Sequence, residues 1–270
     1  MTVNLHLDRG EGRLAYDVQG DGPLVVCLPG MGDLRGVYRF LAATLVAAGY
    51  RVATVDLRGH GDSDDGFTRH DAVAVGSDAL ALIEHLGGEP AVLVGNSLGA
   101  AGATWAAAEA PGLVAGLVLL GPFVRDVPTP AWMRLALRAA LVKPWGPAVW
   151  RAYYRRLYPG RPPADLPAHV AAIAASLRRG GHWRQFVATT RVSHAPAEAR
   201  LGEVRAPVLV LMGERDPDFR DPAAEGRLVS ERLRGELVLV PQAGHYPQAE
   251  YPELVGPRVT AFLGRVFQRA

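Results

Sequence analysis

The sequence predicts an α/β protein: a mostly parallel, eight-stranded sheet flanked by helices and interrupted by one helical insertion. Three observations predict it. Apolar runs of strand length alternate with helical periodicity over the first 124 residues. The alternation resumes after Pro207. Between them, residues 125 to 200 hold no buried-strand run. A chain of 270 residues suits one large domain carrying an insertion, and 49% apolar with 21% charged residues excludes a disordered chain. The expected organisation is a first core segment (1–124), a helical insertion (125–200) and a second core segment (201–270).

Strands are expected at Val3–Leu7, Arg13–Val18, Leu24–Leu28, Arg51–Asp56, Ala91–Gly95, Val114–Leu120, Val208–Met212 and Leu237–Val240. The later ones in the first segment are unbroken apolar runs, the pattern of parallel strands covered on both faces. Val37, Phe40, Leu41, Leu45 and Ala48 recur at helical spacing and Gly49 ends that helix. Ala79, Leu80, Ile83 and Leu86 do the same before Gly87-Gly88, and a third helix stops near Pro111-Gly112. Further helices are expected over Pro222–Leu233 and Pro252–Phe267. The insertion reads as short helices broken by Pro128, Pro130, Pro144, Pro147 and the run Pro159-Gly160-Arg161-Pro162-Pro163. It carries four of the five tryptophans: Trp132, Trp145, Trp150 and Trp183.

Charge and cysteine content narrow the function classes. The net charge of +2 makes no case for nucleic-acid binding. It hides an asymmetry: residues 125–200 hold 13 basic and three acidic residues, a net of +10, and the rest of the chain is at −8. Cys27 is alone and sits in an apolar run, so it reads as an inert buried thiol with no intramolecular disulfide. The start, Met1-Thr2-Val3-Asn4-Leu5, has no basic and apolar regions of a secretion signal. No uninterrupted apolar stretch is long enough to span a membrane, so a cytoplasmic location is expected.

The most specific motif is Gly95-Asn96-Ser97-Leu98-Gly99, which closes an apolar strand and opens a small-residue stretch. This is the form of a nucleophile elbow: a tight strand-to-helix turn that thrusts the serine oxygen out at the strand end. Glycines two residues to either side keep β-carbons out of the turn. A serine hydroxyl needs a base to take its proton and donors to hold the oxyanion that forms. Candidates follow in order. Val208–Met212 leads into Gly213-Glu214-Arg215-Asp216, and Leu237–Val240 leads into Pro241-Gln242-Ala243-Gly244-His245. Both Asp216 and His245 therefore fall just past strand ends, where functional groups of open α/β sheets gather.

With these residues in place, the chain resembles the α/β-hydrolase fold, in its cap-bearing, esterase-like form, over nearly its whole length. The resemblance rests on Leu28-Pro29-Gly30-Met31-Gly32, Asp56-Leu57-Arg58-Gly59-His60-Gly61-Asp62-Ser63, the elbow, Gly213-x-x-Asp216 and Gly244-His245-Tyr246-Pro247-x-x-Glu250. It implies Ser97 as nucleophile, His245 as base, Asp216 as its orienting acid, and the backbone N–H groups of Met31 and Leu98 as the oxyanion hole. It also implies residues 125–200 as a cap over Ser97. Many relatives carry histidine where this chain has Pro29. The implied reaction is hydrolysis of a small-molecule ester, thioester or lactone through an acyl-enzyme, with no cofactor. The base is expected to titrate in the ordinary histidine range of about 6 to 7.

Several alternatives stay open. Ser97 could serve only as a helix N-cap. Asp126, after the sixth strand, could be the acid in place of Asp216, whereas Asp218 and Asp221 read as turn and N-cap residues. His60 reads as a backbone partner in a Gly-rich turn, and His6, His70, His85, His169, His182 and His194 as surface or packing residues. No cluster has metal-ligand spacing and no dinucleotide or phosphate loop is present. Alternative activities are carbon–carbon bond hydrolysis of vinylogous diketones, although those enzymes usually follow the serine with Met-Gly-Gly, and cofactor-free haloperoxidase or perhydrolase chemistry. A non-catalytic ligand receptor is the alternative from another class. The arginine excess of the insertion has two readings, a solvated surface or a mouth that attracts an anionic substrate. Arg178, Arg179 and Arg184, around Gly180-Gly181, are the candidates for the second.

Overall fold

Eight strands form one sheet in the order β1-β2-β4-β3-β5-β6-β7-β8. They are β1 (Leu5–Asp8), β2 (Arg13–Gln19), β3 (Leu24–Leu28), β4 (Arg51–Val55), β5 (Ala91–Asn96), β6 (Val114–Leu120), β7 (Val208–Gly213) and β8 (Glu236–Val240). This is a computed structural model, and it describes residues 4–127 and 130–268; Val3 of the first expected strand and the expected break at Pro128 lie outside them. The sheet is mixed: β1 pairs antiparallel with β2 and β2 with β4, and all other pairs are parallel. Strands β3, β5 and β7 are buried along their whole length, as their unbroken apolar runs require.

The helices are α1 (Arg39–Ala47), α2 (Ala72–His85), α3 (Leu98–Glu109), α4 (Ala131–Ala140), α5 (Gly146–Arg156), α6 (Leu166–Leu177), α7 (His182–Thr189), α8 (Ala195–Glu198), α9 (Pro222–Arg232), α10 (Pro247–Glu250) and α11 (Pro252–Phe267). Two departures from the sequence pattern have local causes. Val37 sits in a 3-10 turn, Arg35–Tyr38, ahead of α1. Helix α2 starts at Ala72, well before the apolar repeat, because the Asp71 carboxylate accepts the Ala74 N–H and caps it there.

Helices α1 and α11 share an apolar cluster on one face of the sheet, and α2, α3 and α9 share another on the opposite face. Helices α4 to α8 fill the connection between β6 and β7. Leu141, Trp150, Tyr154, Ile173, Trp183 and Phe186 of this segment join the cluster of the α1 face, so the inserted helices continue that core instead of building their own. Helix α8 packs back on α2 and α3, with Ala197 against Ala72 and Ala101.

Strand order reverses between β3 and β5: the chain steps from β3 to β4 on one side, then returns past β3 to β5 on the other. Loops leaving β3 and β5 diverge there and open a crevice at the carboxyl ends of the strands. The turns after β3, β5, β6, β7 and β8 all border this crevice.

Candidate active site

The turn after β5 puts Ser97 at φ 55, a backbone region that L-residues rarely occupy. The small residues around it are required by close approach. A β-carbon on Gly99 would lie 2.1 Å from the Leu28 carbonyl oxygen. Ser97 holds the N-cap position of α3, yet its side chain makes no capping bond. The hydroxyl is therefore left to the cavity it lines. Its backbone is fixed by Ser97 N–H donating to the Leu120 carbonyl at 3.1 Å.

Gly30 brings the loop after β3 against this serine: a β-carbon there would sit 2.9 Å from Ser97 Cβ. The N–H groups of Met31 and Leu98, on either side of the serine, donate to no protein acceptor among the described residues. His60 supports the same loop from below. Its Nε2 accepts the Gly32 N–H at 3.0 Å, so its Nδ1 carries the proton donated to the Arg58 carbonyl at 2.9 Å. Burial lowers the His60 pKa to about 4, which keeps the ring neutral in this role.

His245 and Asp216 meet at the neighbouring strand ends. Nδ1 of His245 lies 2.7 Å from Asp216 Oδ2, and both residues are buried. That contact places the proton on Nδ1 and leaves Nε2 as the available base. The second oxygen of Asp216 accepts the Asp218 N–H at 3.0 Å. Backbone ties fix the histidine from three directions. Asn96 Nδ2 donates to the His245 carbonyl at 3.0 Å, and the His245 N–H donates to the Leu157 carbonyl at the end of α5, also at 3.0 Å. Glu250 accepts the N–H groups of Gly244 and Gly160. Burial opposes charge on the His245 ring, but the carboxylates of Asp216 and Asp218 outweigh it and raise the pKa to about 9. That shift is upward from the ordinary histidine range expected from sequence.

Asp218 is more than a turn residue. Its Oδ2 lies 3.7 Å from His245 Nδ1, its Oδ1 accepts the Tyr153 hydroxyl from α5, and burial raises its pKa. Asp221 does cap α9, accepting the Ala224 N–H. Asp126 is engaged elsewhere: its carboxylate accepts the Ser193 hydroxyl and the His194 N–H ahead of α8. Sequence spacing shows no metal cluster, but the fold brings ligand atoms of Asp216, Asp218 and His245 within 4.8 Å of one another. The proton shared between His245 Nδ1 and Asp216 accounts for that proximity as a histidine–carboxylate pair.

Ser97, Met31 and His245 line one cavity of about 220 Å³. Its walls are apolar: Phe123 from the turn after β6, and Leu137, Leu141, Val149, Trp150 and Leu157 from the inserted segment. None of the three candidate arginines is among its lining residues. Arg179 is engaged by Asp62 and the Gly61 carbonyl, Arg184 lies beside Gly181 next to Asp65, and Arg178 ends α6 on the surface. Helices α6 and α7 meet at Gly180-Gly181 over the loop after β4, and the cavity lining includes no lysine or arginine among the described residues.

Residues 25–257 match the model of the alpha/beta hydrolase family. The chain belongs to the alpha/beta hydrolase family. Among similar members is 2-(acetamidomethylene)succinate hydrolase of Mesorhizobium japonicum, 29% identical over 97% of this chain and 95% of its own. A second is 2-hydroxy-6-oxo-6-phenylhexa-2,4-dienoate hydrolase of Burkholderia cepacia, also 29% identical, covering 97% of this chain and 92% of its own. Among solved structures, an esterase from Rhodococcus aligns with a TM-score of 0.80 at 25% identity over 98% of this chain and all of its own.

This alpha/beta hydrolase also carries a buried carboxylate in the loop after β3. Asp33, fully buried just past Met31, accepts the Leu34 N–H at 2.7 Å and the Tyr154 hydroxyl at 2.9 Å, and lies 2.7 Å from His169 Nε2. It pins the loop after β3 to α5 and α6. An aspartate directly after Gly30-Met31-Gly32 was a readable signal. His169 carries no such signal, because its partner is set by how α6 docks. Gly121, at the end of β6, packs directly on His245 and Asp216 and was likewise unmarked.

Proposed function

We propose that the chain is a serine hydrolase that cleaves a small carboxylic ester, thioester or lactone through an acyl-enzyme, with α4–α7 as the cap that shapes its acyl pocket. One observation carries the reading: Ser97, strained and uncapped, lines the same cavity as His245, whose Nδ1 is bonded to Asp216. In this reading Ser97 Oγ attacks the carbonyl carbon as His245 Nε2 takes its proton. The N–H groups of Met31 and Leu98 receive the oxyanion. The imidazolium, steadied by Asp216, then protonates the leaving oxygen or sulfur. Water repeats the cycle on the acyl-serine and regenerates Ser97. No cofactor enters any step.

The cavity favours a neutral substrate. Its aliphatic and aromatic walls suit a short apolar acyl group, and its volume falls below the roughly 300–1,000 Å³ common for larger ligands. The similarity to the phenylhexadienoate hydrolase supports carbon–carbon cleavage as a second reading. The lining weighs against it: among the described residues no lysine or arginine lines the cavity to meet a carboxylate, and Asp218 adds a carboxylate of its own. The test is a fluorophosphonate probe with Ser97→Ala as control, followed by p-nitrophenyl esters of rising acyl length beside a 2-hydroxy-6-oxo-dienoate. Labelling of Ser97 and preference for short acyl esters support the proposal. An unlabelled Ser97 overturns it in favour of a non-catalytic receptor, and faster turnover of the dienoate replaces ester with carbon–carbon cleavage.

A further inference from the structure

Exposed apolar surface is concentrated in one place. Of the eleven strongly exposed large apolar side chains among the described residues, nine lie between Val127 and Tyr153. Helix α4 buries none of its residues. Trp132, Leu135 and Ala139 recur on one side of it, with Trp132 68% and Leu135 67% exposed. Trp145, 54% exposed, follows at the start of α5. Leu137, Val149 and Tyr153 are exposed and also line the cavity, so the cavity adjoins this apolar segment.

The charge around the face has one sign. Residues 127–164 contain seven basic residues and no acidic one. Arg138, Lys143, Arg151, Arg155 and Arg156 are exposed or border the face and form no ion pair among the described residues. An amphipathic helix with Trp and Leu on one side and basic side chains at its flank is suited to lie in a lipid interface. Anionic headgroups complement the charge. A second copy of this chain would be seated two-fold on the same patch and would set like charges against each other. Among the described residues no helix is long and apolar enough to cross a membrane, so contact here is with a surface.

We infer that α4 and the start of α5 form a docking face for an anionic lipid surface, which brings amphiphilic molecules to the mouth of the cavity. The docking itself is independent of the chemistry at Ser97.

The test is co-sedimentation of the full chain with vesicles of phosphatidylcholine alone and of phosphatidylcholine with about a third phosphatidylglycerol, at low and high salt. Binding is expected to the anionic vesicles at low salt and to weaken as salt screens the charges. Trp132→Glu with Leu135→Glu, both outside the cavity lining, should weaken binding at least tenfold. Arg138→Gln with Lys143→Gln should weaken it by about 25-fold, at about fivefold per basic side chain near the surface, and provides a second arm that leaves the apolar face intact. No binding to anionic vesicles at low salt overturns the inference, as does binding that both double variants retain. A dimer in light scattering that the Trp132→Glu/Leu135→Glu variant dissociates assigns the face to a second copy instead.

Discussion

Replacing Asp218 by asparagine isolates the second carboxylate at the histidine. Its oxygen lies 3.7 Å from His245 Nδ1, while Asp216 makes the direct bond at 2.7 Å. Two unit charges at the longer distance attract by about 1 kcal/mol in a water-like medium and about 4.5 kcal/mol at an effective dielectric constant of 20. At about 1.4 kcal/mol per pH unit, the charge of Asp218 holds up the His245 pKa by about 0.8 to 3 units. The site is buried, but burial also raises the pKa of Asp218 itself and so reduces its charge at low pH. A shift of about one unit is the expected result. The sign follows from the proposed role. Neutral His245 is the active base, so kcat/KM rises with pH through a pKa of about 9, and removing a nearby negative charge moves that limb to lower pH. The assay is a pH profile of kcat/KM for a p-nitrophenyl ester, with the high-pH plateau compared between variants. Asp218→Asn should leave the plateau within a few fold, since Asp216 still orients the ring. A limb that stays in place, or moves to higher pH, refutes the electrostatic account.

Asp216→Asn should lower kcat by roughly 10⁴ through loss of the group that steadies the imidazolium, and Asp126→Asn should leave kcat near wild type; steady-state kinetics with the reverse ranking would move the acid to the turn after β6. His60→Ala leaves the Gly32 N–H without its acceptor and should cost about 1–3 kcal/mol of stability by urea denaturation, with kcat reduced more than KM is raised because Met31 loses its support. Cys27 is fully buried and burial pushes its thiol well above the ordinary cysteine range, so a thiol reagent such as dithionitrobenzoate should react only after unfolding; rapid labelling of the native chain would contradict that placement.

What the linear sequence determined is what local pattern encodes. Unbroken apolar runs marked the buried strands, because parallel strands must be apolar on both faces. The elbow was legible because a turn that sets Ser97 at φ 55 and brings Gly99 against the Leu28 carbonyl admits only certain residues at fixed offsets. Asp216 and His245 could be picked out as strand-end residues, and the Gly-rich turn of His60 as a backbone support. Tertiary structure decided everything that depends on how the inserted helices dock. The sequence could count the arginines of residues 125–200, but only packing of α6 and α7 over the loop after β4 turns Arg179 to Asp62 and leaves the cavity apolar. Docking of α5 likewise brings Tyr153 to Asp218 and Tyr154 to Asp33, pairs separated by 65 and 121 residues. The raised pKa of His245 belongs to the same class: a charge felt across space depends on distance and burial, and neither is written in the order of residues.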